Sequence, residues 1–70
     1  MEFVTVTFDD DRQVFIDGSP SGNTNETLQV DRGTHTFDLG APHNYAPTFR
    51  RRQVANTSPI RPLEVTFAKS

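Results

Sequence analysis

The residue types that carry most protein chemistry are present in this chain, but they are scattered. Two histidines, His35 and His43, and the carboxylates Asp17, Asp31 and Asp38 could on paper form a metal site or an acid/base pair, since imidazole and carboxylate are the usual ligands and proton carriers. Their spacing supports neither. No His-x-x-x-His pair occurs, and histidines bonded to water or backbone account for both positions. Asp9-Asp10-Asp11 could attract a hard cation, yet a Ca²⁺ loop needs oxygen ligands over a longer stretch with Gly at its turn. Asp17 to Gly22 has the composition of a phosphate-binding loop, but such loops open a helix whose N-terminus holds the anion, and a strand pattern follows here. There is no Cys, which removes disulfides and thiolate ligands. The expectation is no catalytic residue, no metal site and no cofactor.

The one local concentration of charge is Arg50-Arg51-Arg52. Guanidinium groups meet phosphate, sulfate and carboxylate through paired N–H donors, so the run suits a phosphate backbone, an acidic polysaccharide or an acidic strand of a partner. In a strand, Arg50 and Arg52 share one face and Arg51 joins Phe49 on the other. With Phe49 turned to the core, Arg50 and Arg52 become the solvent-facing pair. Tyr45, between Pro42 and Pro47, is the third candidate contact because its ring is available for stacking. A plainer account of the same run is an edge strand protected from unwanted pairing by its own charge. Seven Lys and Arg against nine Asp and Glu leave a net charge of −2, which is not the basic field of a nucleic-acid binder. Trp is absent, which counts against a glycan-stacking platform. The main expectation is therefore a protein partner, or self-association, through an edge strand. Nucleic acid or acidic polysaccharide held by Arg50, Arg51 and Arg52 is the alternative.

Short strands must position these residues. Phe3 to Phe8, Gln13 to Ile16, Thr27 to Val30, His35 to Leu39, Thr48 to Val54 and Leu63 to Phe67 alternate apolar and polar positions, the period of a half-buried strand. No stretch free of Pro and Gly repeats apolar residues at helical spacing. Between the strands lie turn residues. Asp9 to Arg12 and Asp31 to Gly33 read as hairpin turns, Asp17-Gly18 as a tight turn, and Ser19 to Asn25 as a loop across the end of a sheet. The expected core is Val4, Val6, Phe8, Val14, Ile16, Leu28, Val30, Phe37, Leu39, Phe49, Leu63, Val65 and Phe67. A chain of 70 residues makes one domain, spanning 1–70, in the size range where a single core is marginal. The reading is an all-β fold, a small antiparallel β-sandwich of about six strands. No apolar run is long enough to span a bilayer, and Met1-Glu2-Phe3 lacks the basic and apolar regions of a signal peptide. As written the chain is expected in the cytoplasm; as a fragment of a longer exported protein it would be extracytoplasmic.

The order of motifs from Gln13 onward resembles the PEGA family, short β-strand modules of bacteria and archaea that are similar to segments of surface-layer proteins. The resemblance rests on V-F-I-D-G at Val14 to Gly18, G-N-T at Gly22 to Thr24, R-G-T-H-T-F at Arg32 to Phe37, and Tyr45 with Pro47. Asn25 stands where that family usually has Pro, and the tetrapeptide that names the family is absent. The resemblance implies a non-enzymatic, often extracytoplasmic, β-sandwich-like structural or binding module with no catalytic residues.

Overall fold

The alternating segments form nine strands in the computed structural model, which describes every residue from Met1 to Ser70: β1 (Glu2–Thr7), β2 (Gln13–Ile16), β3 (Ser19–Asn23), β4 (Thr27–Val30), β5 (Gly33–Asp38), β6 (Tyr45–Ala46), β7 (Arg50–Val54), β8 (Leu63–Thr66) and β9 (Ala68–Lys69). They build a three-stranded sheet in the order β4-β1-β8, a four-stranded sheet in the order β3-β2-β5-β7, and the small pair β6-β9. The first sheet contributes Val4, Val6, Leu28, Val30 and Val65 to the core, and the second contributes Val14, Ile16, Phe37 and Val54. Phe8, Leu39, Tyr45 and Phe67 complete the same cluster. The fold is all-β, as the alternation predicts, and full burial of such side chains contributes roughly 1.5–3 kcal/mol each.

The details depart from expectation in several places. There are nine strands rather than six, because Ser19–Asn23, read as a loop, pairs with β2 as β3, and two short strands, β6 and β9, pair with each other. The sheets are not wholly antiparallel: β8 lies parallel to β1, with Val6 opposite Val65. Neither Asp9 to Arg12 nor Asp31 to Gly33 closes a hairpin. At both places the chain leaves one sheet for the other, since β1 pairs with β4 and β8 whereas β2 and β5 pair with each other. Turn residues mark where a strand stops, but not which strand it will pair with next. Asp17-Gly18 is a true two-residue hairpin between β2 and β3, with φ of 53° and 84° at its two positions and Ile16 paired with Ser19. Positive φ at both central residues is what a type I′ turn requires, and its twist matches that of the flanking strands.

Crossing between sheets leaves backbone groups without a ladder, and side chains take over. Thr24, buried at 1% exposure, accepts from the Arg12 N–H at 2.9 Å and donates through Oγ1 to the Asp10 carbonyl at 2.8 Å. Asn25 pairs its amide with the Phe8 backbone in both directions, at 3.2 and 3.0 Å, and its own N–H donates to the Val6 carbonyl at 2.7 Å. Pro at this position could not donate that last bond. At the other end, Thr57 donates from its N–H and its hydroxyl to the Glu2 carboxylate, at 2.9 and 2.6 Å, while the hydroxyl accepts from the Phe3 N–H.

Two residues expected in the core lie outside it, and two others join it. Phe49, expected inside, is 56% exposed and precedes β7, while Leu63 is only partly buried. Val54 is fully buried and Tyr45 is 6% exposed. Burial of Val54 sets the register of β7: Arg50 and Arg52 share its face, and Arg51 lies on the other, the reverse of the expected assignment. A one-residue shift in register exchanges the faces of a whole strand.

Gly18→Val and Gly33→Val are each expected to lower stability by more than about 1 kcal/mol, because both glycines hold positive φ, 84° and 139°, that a β-branched residue resists. Thr24→Val keeps the shape but strands the Arg12 N–H and the Asp10 carbonyl, at an expected cost of about 1–3 kcal/mol. Urea midpoints of the three variants check both statements; an unchanged midpoint for Thr24→Val would mean water replaces its hydroxyl.

Candidate functional site

Strand β7 forms the outer edge of the four-stranded sheet, with β5 as its only ladder partner. Which of its backbone groups are free follows from β5. Asp17 donates to the Thr36 carbonyl at 2.8 Å, and the Thr36 N–H donates to Asp17 Oδ1 at 2.9 Å, so Thr36 turns both backbone groups toward β2. Antiparallel ladders alternate, so His35 and Phe37 turn theirs toward Arg52 and Arg50 of β7. Arg51 and Gln53 are then left with N–H and C=O directed away from the sheet.

The three arginines have different surroundings. Arg50 is half-buried, and its Nε donates to the Thr66 carbonyl at 2.7 Å, tying the start of β7 to the end of β8. Arg51 and Arg52 are exposed. The ion pairs of the protein are His35–Asp17 and Lys69–Asp10, so no carboxylate neutralises Arg51 or Arg52. Of the expected contact pair Arg50 and Arg52, only Arg52 is free; the free pair is Arg51 and Arg52, on opposite faces of an open edge.

Tyr45 is not part of that surface. Its hydroxyl donates to the Gly40 carbonyl at 3.0 Å and accepts from the Leu39 N–H at 3.3 Å, and its ring meets Phe67 and Phe8 edge to face at 5.5 and 6.3 Å between centroids. Arg12 completes this arrangement. Its guanidinium donates to Asn44 Oδ1 at 2.6 Å and to the carbonyls of Pro42, Leu39 and Gly40 at 2.9, 3.2 and 3.2 Å, and it stands 5.1 Å from the centre of the Tyr45 ring. The sequence assigns Arg12 to a turn. No spacing could have tied it to residues about thirty positions later, because that contact exists only once the strands are placed.

Of the scattered acid/base residues, the structure brings together His35 and Asp17. His35 Nδ1 lies 2.6 Å from Asp17 Oδ2, and Nε2 lies 2.7 Å from the Asp31 carbonyl. His43 instead packs edge to face on Tyr45, and Asp38 accepts from the Gly40 N–H. Both partners of His35 are acceptors, and a neutral imidazole has only one N–H, so only the imidazolium satisfies both contacts. The Asp17 carboxylate foremost, with the Asp31 carbonyl second, holds His35 above its ordinary value of 6.5. The Thr36 N–H, and then His35, hold Asp17 below its ordinary 3.8. An open recess of roughly 340 Å³ adjoins the ring, with Met1, Gln29 and Asp31 on its rim. Because both ring nitrogens are bonded to the protein, neither offers a lone pair to a molecule in that recess.

Comparison of the chain with protein-family models, curated proteins and solved structures gives no match. The open edge of β7 and the His35 pair therefore rest on their own geometry.

A raised histidine contributes stability that is complete below its unfolded value and is lost as pH rises through the folded one. A lowered carboxylate contributes stability that is complete above its unfolded value and is lost as pH falls through the folded one. The pair is thus expected to contribute fully between pH 3.8 and 6.5, the ordinary values of Asp17 and His35. Urea midpoints of wild type should fall from about pH 6 to about pH 9, and that slope should flatten in His35→Gln. An equal slope in both proteins would assign the titration to another group.

Proposed function

We propose that the chain is a non-enzymatic interaction module that binds another protein along the open edge of β7. The observation that carries this reading is the edge itself: two residues, Arg51 and Gln53, turn unpaired backbone donors and acceptors outward beside two guanidinium groups that no carboxylate neutralises. Strand addition uses such groups, main-chain bonds supplying affinity and alternate side chains specificity. The order of PEGA-like motifs from Val14 to Phe37 supports the same class of module.

Polyanion binding through Arg50, Arg51 and Arg52 is the second reading, favoured by the same unneutralised charges. It is weakened by the Arg50 side chain being engaged with Thr66 and by the burial of Tyr45, which leaves Phe49 as the exposed ring next to the arginines. The net charge of −2 also provides no long-range attraction for a polyanion.

Proline scanning separates the edge from the ladder. Gln53→Pro removes an N–H that faces outward, which an edge strand tolerates, whereas Arg52→Pro removes one that bonds to β5. Gln53→Pro is expected to keep the wild-type circular dichroism spectrum and lose captured protein partners, while Arg52→Pro unfolds. Capture by the wild-type chain should survive about 0.5 M salt, whereas polyanion binding falls steeply there. Partners retained equally by Gln53→Pro would remove the edge from the function, and nucleic acid or polysaccharide released by salt would establish the second reading.

A further inference from the structure

We propose that the partner of β7 is an extended acidic segment of a different protein, added as a strand with carboxylates opposite Arg51 and Arg52. This inference rests on the reading of β7 as the binding edge and specifies what that edge accepts. In an antiparallel pair, directly opposite residues share a face, so neighbouring acidic residues reach Arg51 on one side of the sheet and Arg52 on the other. Phe49, 56% exposed, lies just before the same edge and offers an apolar contact to a residue beyond the acidic pair.

Three alternative occupants from this chain fit poorly. A second copy laid antiparallel on β7 places Arg51 against Arg51 or Arg52 against Arg52 in the registers centred on those residues, and like charges directly opposite are unfavourable. The other edge of the same sheet, β3, carries Pro20 and a break in register at Ser21, opposite the Val14–Phe15 step of β2, both of which hinder pairing with β7 of a neighbour. The acidic run Asp9-Asp10-Asp11 lies outside any strand, where Asp10 pairs with Lys69 at 2.9 Å and its carbonyl accepts from Thr24. It is therefore not presented as an extended segment. The same two arginines that disfavour β7 of a second copy in those registers attract an acidic strand.

The probe is a labelled peptide of β-branched residues around two adjacent glutamates, with a valine beyond them. A counterpart with lysine for glutamate and a heparin oligosaccharide serve as comparisons. Wild type should bind the glutamate peptide and gain amide-exchange protection at Arg51 and Gln53. The double variant Arg51→Glu, Arg52→Glu should lose at least about tenfold in affinity for it and gain affinity for the lysine peptide. Should that variant fail to fold, Arg51→Gln with Arg52→Gln, which keeps the size of the side chains, is expected to show the loss alone. Equal binding of both peptides by wild type, or no binding of either, overturns the acidic-strand inference. If protein capture then remains sensitive to Gln53→Pro, the edge reading stands without this partner. If that sensitivity is also absent and heparin alone binds, both fall.

Discussion

Backbone that leaves a sheet must find hydrogen bonds elsewhere, and in this protein every connection except the β2–β3 hairpin takes the chain from one sheet to another. Between β1 and β2, and between β3 and β4, the backbone groups of the crossings fall outside the regular ladders: the Thr24 N–H donates to the Arg12 carbonyl and the Asn25 N–H to the Val6 carbonyl of β1. Thr24 and Asn25 satisfy them with side chains shaped like short pieces of backbone, a hydroxyl that both donates and accepts and an amide that pairs in both directions. No buried side-chain polar atom is left without a partner. A core of thirteen residues has little surplus to absorb an unpaired group, so these few side chains decide whether two small sheets can face each other at all.

Arg12 extends the same principle to the segment from Leu39 to Tyr45. Its donors are met by three carbonyls and one amide oxygen, and its flat face lies near aromatic rings, so the charge is balanced by dipoles and π density rather than by a carboxylate. Tyr45 then turns its hydroxyl onto the same segment and its ring into the core. Tyr45 thereby anchors an otherwise exposed loop with two prolines to the core, and the residue that looks most like an exposed recognition aromatic becomes structural.

The groups left unsatisfied lie along β7. Arg50 is engaged with Thr66 and Lys69 with Asp10, whereas Arg51, Arg52 and the outward backbone of β7 have no partner within the molecule. The His35 pair points the other way. Its geometry resembles an acid/base dyad, yet with both nitrogens bonded to acceptors it serves to pin the β2–β3 hairpin to β5 and to the carbonyl of Asp31, and it makes that connection sensitive to pH.

Strand periodicity was legible in the sequence because each side chain's face depends only on its neighbours two positions away. It located the all-β class, the buried positions of β1, β2, β4 and β5, Val65 of β8, and the tight turn at Asp17-Gly18, whose signal is local to two residues, but not the strand β3 that makes this turn a hairpin. The β7 register was not legible, because Phe49 and Val54 are separated by five positions and cannot both face inward in a regular strand. Only packing against β1 and β5 decides for Val54, and that choice moves Arg51 to the other face and makes Phe49 a surface residue. Pairing, the parallel run of β8, the role of Arg12 and the closeness of His35 to Asp17 likewise depend on contacts between residues far apart in the chain, which composition and spacing do not encode.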